Sequence, residues 1–156
     1  MDRPTVRLDQ VSLVSGDVEA SIAFYRRLGL DISDGQIWRT ASGIHHVSAG
    51  RASAGGATAA GLDFDLGSAA LARIWNTGWQ GAADLRGRIV IGFALASREA
   101  VDETWADLTG AGYKGLQAPY DAFWGARYAV VEDPDGVAVG LMSPMSAAHR
   151  SAPPEV

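Results

Sequence analysis

The chain contains no cysteine, which excludes disulfides, thiolate nucleophiles and sulfur-ligated metal sites. Positive charge is also scarce, because 13 Lys and Arg face 18 Asp and Glu and the formal net charge is -5. Without a basic stripe, we expect no nucleic-acid partner. No apolar run approaches the length that spans a bilayer, so we expect a soluble, cytoplasmic protein without a membrane partner.

The second half of the chain repeats the pattern of the first. A displacement of 80 residues aligns residues 10–14 with residues 90–94 and Tyr25 with Trp105. Each copy has an apolar strand, a capped amphipathic helix and further strands. We therefore predict a single domain over residues 1–144, with module one at 6–67, a connection at 68–87 and module two at 88–144. Residues 145–156 are polar and small, and are predicted to form a flexible tail.

Local signals predict where the elements begin and end. Asp17 precedes an amphipathic pattern that closes at Gly29, and Ser97 caps the corresponding helix of module two. Residues 133–136, Asp-Pro-Asp-Gly, predict a tight hairpin between two strands. Residues 49–60 are rich in Gly, Ala and Ser and predict a mobile loop.

The order strand, helix and three strands, occurring twice, resembles the vicinal oxygen chelate superfamily of glyoxalases, bleomycin-resistance proteins and extradiol dioxygenases. The residues that carry the resemblance run from Asp17 through Phe24 and Tyr25 to Gly29, together with the hairpin at 133–136. Residues 112–144 are more similar to the antibiotic-binding branch. The resemblance implies an α+β fold of two paired βαβββ modules. Their strands would form a cupped mixed sheet around a central cavity, with the helices outside, and a homodimer is expected.

Enzymes of that superfamily hold a divalent metal with one side chain from the first and one from the last strand of each module. Gln10 occupies one such position, but its repeat partner is Val90, and Gly140 stands where a Glu is expected. The remaining position falls on Gly61, or on Asp63 after a shift of two. Because a catalytic metal needs about three protein ligands, the sequence predicts no metal and no other cofactor. It favours a binding protein over an enzyme.

Module one leaves an alternative open. His45 and His46 are adjacent in a predicted strand, so one of them shares a face with Gln10, and Asp63 and Asp65 share a face of a neighbouring strand. These side chains could meet and hold an atypical metal for a lyase, isomerase or dioxygenase. The other interpretation, which we favour, is that the histidines are surface residues and the Asp pair belongs to a solvated face.

Aromatic residues are the more informative group, since the chain has five Trp. Trp105 lies on the apolar stripe of a helix and is predicted to be core. Loop aromatics such as Trp124 can stack on a planar ligand, or they can pack a module boundary. The sequence predicts metal-independent binding of a small planar or hydrophobic molecule; a scaffold without a ligand is the other reading. The candidate ligand-binding residues are Gln10, Trp38, His46, Asp63, Tyr120, Phe123, Trp124, Arg127 and Met142.

Overall fold

Two four-stranded mixed sheets, each with the order strand, helix and three strands, make up the computed structural model. It describes residues 8–49, 62–82 and 84–155. The chain divides into two compact units, Met1–Ala82 (unit one) and Ala83–Val156 (unit two). The predicted α+β fold of two βαβββ modules is confirmed. Most of the predicted loop at 49–60, and Gly61, lie outside the described residues.

In unit one the strand order is β1-β4-β3-β2, with β1 parallel to β4 and the other neighbours antiparallel. The elements of this unit are β1 (Gln10–Ser15), α1 (Val18–Leu28), β2 (Ile37–Thr40), β3 (Gly43–Ser48), β4 (Asp63–Ser68) and α2 (Ala69–Trp75).

Helix α1 begins and ends where the sequence predicts. The Asp17 side chain accepts a hydrogen bond from the Ala20 amide at 3.0 Å, and Gly29 closes the helix with a φ of 112°. The helix buries Tyr25, whose ring centroid lies 4.9 Å from that of Phe64 in β4. Phe64 therefore points towards α1. Because side chains alternate along a strand, Asp63 and Asp65 lie on the opposite face of the sheet.

Unit two repeats this arrangement with the strand order β5-β8-β7-β6 and β5 parallel to β8. Its elements are β5 (Val90–Ala94), α3 (Arg98–Gly110), β6 (Gly115–Asp121), β7 (Arg127–Glu132) and β8 (Ala138–Met142).

The predicted cap and hairpin of unit two are confirmed. The Ser97 hydroxyl accepts from the Ala100 amide at 3.1 Å. Asp133 Oδ1 accepts from the Val137 amide at 2.8 Å, and Gly136 adopts a φ of 85° that completes the turn. Trp105 is half-buried rather than fully buried, because its ring lies over Gly115 near the surface.

The C-terminal segment lies against the turn that follows β6. The Ser146 amide donates to the Gly125 carbonyl at 3.0 Å, and the Ser151 amide donates to the Phe123 carbonyl at 3.0 Å. A Cβ at Gly125 would lie 2.3 Å from the Ser146 carbonyl oxygen, so this close approach requires glycine. These bonds tie residues 146–151 to the turn, and the sequence does not reveal this attachment. The flexibility of the residues after 151 stays a prediction.

No helix in the described part of the chain is long and apolar enough to cross a membrane.

Candidate functional site

Three polar side chains from neighbouring strands meet on the sheet face of unit one that points away from α1. Gln10 Nε2 donates to Asp65 Oδ2 at 2.6 Å, and His46 Nε2 lies 3.9 Å from the same oxygen. Asp65 is only 8% exposed. We call Gln10, His46 and Asp65 the polar cluster. Gln, His and Asp from module one do meet, as the sequence allows, and His46 is the histidine that takes part.

Burial determines the electrostatics of this cluster. Removal from water raises the pKa of the Asp65 carboxyl above its ordinary value, and the charge of Asp63 raises it further. The nearby His46 and the hydrogen bonds from Gln10 and Ser48 offset part of this effect. The carboxylate of Asp65 is thus held by hydrogen bonds in a place that disfavours its charge.

A cleft of about 560 Å³ opens beside the cluster. Its polar side consists of Gln10, Ser12 and His46, and α2 contributes Leu71 and Trp75 one helical turn apart. Trp75 is 57% exposed. The cleft therefore combines hydrogen-bonding groups with an exposed aromatic wall.

Unit two carries four aromatic rings that touch edge to face. The ring centroid of Trp124 lies 5.1 Å from that of Phe123, 5.4 Å from that of Tyr128 and 6.3 Å from that of Tyr120. We call Tyr120, Phe123, Trp124 and Tyr128 the aromatic cluster. Three of its members are sequence candidates; Tyr128 is not among them.

Tyr128 takes the space above Gly140. A Cβ added to Gly140 would lie 2.6 Å from the Tyr128 hydroxyl oxygen, closer than such atoms approach. Burial, and then the nearby Tyr120, raise the pKa of the Tyr128 phenol. A carboxylate side chain at residue 140 could enter only if Tyr128 moved away.

The strand register corrects one sequence assignment. Ser12 pairs with Asp65 across β1 and β4, and Gly92 pairs with Gly140 across β5 and β8. The position equivalent to Gly140 is thus Asp65, not Gly61 or Asp63. Gln10 and Val90 are 80 residues apart, whereas Asp65 and Gly140 are 75 apart, because the segments between the first and last strands differ in length.

The same register identifies Tyr128 as the equivalent of His46. His46 pairs with Gly67 in β4, and Tyr128 pairs with Met142 in β8, two residues beyond Asp65 and Gly140 respectively. A comparison of the repeats strand by strand, rather than at one fixed displacement, is the signal that could have found Tyr128. Met142 lies beside Tyr128 on the same face of the sheet.

Two other sequence candidates are members of neither cluster. Trp38 pairs with His46 across β2 and β3, so it lies next to the polar cluster. The Trp38 ring is 52% exposed and lies 5.0 Å from the ring of His45. Arg127 alternates with Tyr128, so it points to the opposite face of β7, where its Nε donates to Asp102 of α3 at 2.8 Å. That hydrogen bond, and a second one to Asp121, raise the pKa of Arg127.

Asp121 completes an ionic network on the α3 side of unit two. Arg127 Nη1 donates to Asp121 Oδ1 at 3.0 Å, and Arg98 donates to the same oxygen. The hydrogen bond from Arg127 lowers the pKa of the exposed Asp121 carboxyl. The structure thus places Arg127 in contacts between α3, β6 and β7, away from the aromatic cluster.

Comparison with protein families matches residues 7–141 to the model of the Glyoxalase/Bleomycin resistance protein/Dioxygenase superfamily. The chain belongs to the Glyoxalase/Bleomycin resistance protein/Dioxygenase superfamily. A comparison with curated proteins found no significant match.

Solved structures from this superfamily share the fold. A glyoxalase/bleomycin resistance protein/dioxygenase from Nocardioides is 23% identical with a TM-score of 0.63, covering 100% of this chain and 91% of that one. A family enzyme from Burkholderia phytofirmans PsJN is 17% identical with a TM-score of 0.66, covering 88% and 98%. Lactoylglutathione lyase from Agrobacterium tumefaciens is 17% identical with a TM-score of 0.58, covering 90% and 96%.

The residues of this chain do not fit the metal that enzymes of the superfamily hold. Of the four expected positions, Gln10 and Asp65 carry donor groups, whereas Val90 and Gly140 carry none. Gln10 also turns its amide nitrogen, which cannot ligate a metal, towards Asp65. Within residues 8–49, 62–82 and 84–155, no three His, Asp or Glu side chains lie close enough to hold a metal ion.

Proposed function

We propose that this chain binds a small planar or hydrophobic molecule without a metal ion, and that the aromatic cluster of unit two is the stacking surface. The observation that carries the proposal is the Tyr128 hydroxyl above Gly140. At this position the superfamily's enzymes place a metal-binding side chain, and here an aromatic ring occupies the space instead.

The aromatic cluster suits stacking because its rings support one another. Tyr120 is 37% exposed and Phe123 is 39% exposed, while Trp124 is half-buried between them and Tyr128. Rings held by edge-to-face contacts lose little conformational freedom when a ligand covers them, so more of the interaction energy remains for binding. The backbone bonds from residues 146–151 hold the turn that carries Phe123 and Trp124.

Replacement of Trp124 tests the proposal. The purified chain is titrated with quinolin-2(1H)-one, a planar aromatic probe, and tryptophan fluorescence is recorded. Trp124→Ala should weaken binding to the aromatic cluster by roughly ten- to a hundredfold, since one stacking face is worth about 1–3 kcal/mol. Trp79→Ala is the matched control, because Trp79 contacts Arg73 in unit one and lies outside the aromatic cluster.

The melting temperature of Trp124→Ala distinguishes binding from packing. Truncation of a core Trp costs about 3–5 kcal/mol of stability. Unchanged affinity together with a large drop in melting temperature would show that Trp124 is a packing residue, and the proposal would lose its stacking surface.

A second candidate function is a metal-dependent lyase, isomerase or dioxygenase with an atypical site in unit one, and its only support is the proximity of the residues of the polar cluster. Gln10, His46 and Asp65 meet within hydrogen-bonding or near-contact distances. Elemental analysis decides between the two candidates. One tightly bound Zn, Fe, Ni or Mn per chain would replace the binding proposal with the enzymatic one.

We also propose that the chain forms a homodimer. Strands β1 and β5 each lie at an edge of their own four-stranded sheet, and an open strand edge favours pairing with another chain. Sedimentation equilibrium at micromolar concentration should give about twice 16.3 kDa. A mass of one chain would contradict this assembly.

A further inference from the structure

We propose that the cleft of unit one recognises an N–H donor on the edge of a planar heterocycle, such as a lactam or an imide, through the side-chain oxygen of Gln10. This inference rests on the proposed function, in that the ligand is a small planar molecule. It adds a second binding site, formed by residues of unit one alone, in which the hydrogen-bonding group and the aromatic ring belong to the same cleft.

The orientation of the Gln10 amide is set by Asp65. Its amide can present either nitrogen, a donor, or oxygen, an acceptor, to a neighbour. The carboxylate of Asp65 only accepts, and it takes the Gln10 nitrogen at 2.6 Å. Asp65 therefore fixes which way the amide points.

The other end of the same amide is its oxygen. Gln10 lines the cleft, whereas Asp65 does not. The Gln10 nitrogen is hydrogen-bonded to the buried Asp65 carboxylate. The Gln10 Oε1 is therefore the amide atom that can accept a hydrogen bond from a ligand in the cleft. An oriented acceptor at the wall of an open cleft is suited to a ligand N–H group.

The apolar part of the same cleft comes from α2. Leu71 and Trp75 stand one turn apart on α2, and the Trp75 ring is 57% exposed. A large exposed ring beside an oriented acceptor can take the face of a flat molecule while the acceptor takes its edge. Apolar contact supplies affinity here, and the hydrogen bond supplies discrimination, because a ligand without the N–H leaves the acceptor unpaired.

Two probes that differ at one atom test this inference. Quinolin-2(1H)-one carries the N–H, and its N-methyl derivative lacks it. The full chain should bind the first about tenfold more tightly, as expected for one lost hydrogen bond in a partly buried site. The ratio of the two dissociation constants for the cleft is the readout. It is measured by calorimetry, because the heat of binding does not depend on which tryptophan lies near the probe.

Three variants show which residues produce that ratio. Gln10→Met keeps the length of the side chain and removes the amide, so the ratio should fall to about one. Asp65→Asn should lower the ratio as well, because an Asn amide can accept from or donate to Gln10 and no longer fixes its orientation. Asp65 is thus a positioning residue. Leu71→Ala is the control: it should weaken both probes equally and preserve the ratio.

The outcomes separate this inference from the proposed function. A ratio of one in the unaltered chain, or a ratio that survives Gln10→Met, would overturn the role of Gln10 while leaving metal-independent binding intact. A preserved ratio with no effect of Trp124→Ala would overturn only the stacking surface of unit two. Failure of both probes to bind would overturn both. If Gln10→Met does not fold, as judged by circular dichroism, Gln10→Leu provides the same comparison.

Discussion

The two units of this protein share one arrangement of strands and present different chemistry on it. In unit one, three strands bring together polar side chains; in unit two, the equivalent positions are apolar, aromatic or empty. The equivalent pairs are Gln10 and Val90, His46 and Tyr128, and Asp65 and Gly140. The comparison teaches that the fold supplies positions, while the side chains at those positions determine what can bind.

The three positions of unit one depend on one another, and in unit two Tyr128 and Gly140 do so. Tyr128 can occupy its place only because Gly140 has no side chain. In unit one the buried Asp65 carboxylate is stabilised by the Gln10 amide and the nearby His46. A substitution at one of these positions would therefore disturb its neighbours.

The largest effect is expected from Gly140→Ala. The new Cβ would meet the Tyr128 hydroxyl at 2.6 Å, and the rings of Trp124 and Tyr120 restrict how far Tyr128 can move. We expect a loss of about 1–3 kcal/mol in the free energy of unfolding, measured by urea denaturation.

Gly92→Ala is the matched control for this substitution. Gly92 pairs with Gly140 on the adjacent strand, and a Cβ there would meet nothing within 4 Å. Equal effects of the two substitutions would show that the Tyr128 contact does not require glycine at residue 140.

Removal of either helix cap should lower the free energy of unfolding by a smaller amount, and by the same amount in the two units. Asp17 and Ser97 each accept a hydrogen bond from the amide three residues later, at 3.0 and 3.1 Å. Asp17→Ala and Ser97→Ala should each cost about 1 kcal/mol in the free energy of unfolding. Denaturation followed by circular dichroism checks this, and a marked inequality would show that one unit depends on its cap more than the other.

Asp65→Asn should raise stability slightly at neutral pH. The pKa of Asp65 is raised in the folded protein, chiefly by burial, so folding favours its protonated form. That contribution is present below the unfolded-state pKa and is lost as the pH rises through the higher folded-state value. The neutral Asn avoids this loss, so the variant should melt above the unaltered protein at pH 7, and the difference should close on acidification.

Asp34→Asn controls for the removal of one negative charge, because the Asp34 side chain is 87% exposed and its ion pair with Arg26 is a surface pair that contributes little to stability. A lower melting temperature for Asp65→Asn at pH 7, with Asp34→Asn unchanged, would show that the charged form of Asp65 stabilises the fold.

A chelator is expected to have no effect on the melting temperature. Because Val90 and Gly140 carry no donor group, EDTA should leave the melting temperature unchanged. A fall of several degrees would indicate a bound metal, and would point to unit one as its place.

Local sequence signals were sufficient to predict the ends of helix α1 and the hairpin at residues 133–136. Asp17, Gly29 and the residues at 133–136 act on backbone groups within a few residues of themselves, so their effect is readable from the chain. The meeting of a Gln, a His and an Asp in unit one was also a correct alternative. The assignment of the fourth metal position to Gly61 or Asp63 was wrong, because a fixed displacement cannot follow segments of different length; strand register gives Asp65 instead.

The sequence by itself determined the repeat, the family and the lack of donor groups at two of the four expected metal positions. These features depend only on which residue types occur and in what order. Only the tertiary structure decided which residues act together. Asp65 meets Gln10 across 55 residues of chain, and Tyr128 covers Gly140 from the adjacent strand. Strand register brings distant residues together, and register depends on the packing of whole sheets rather than on the residues near each position.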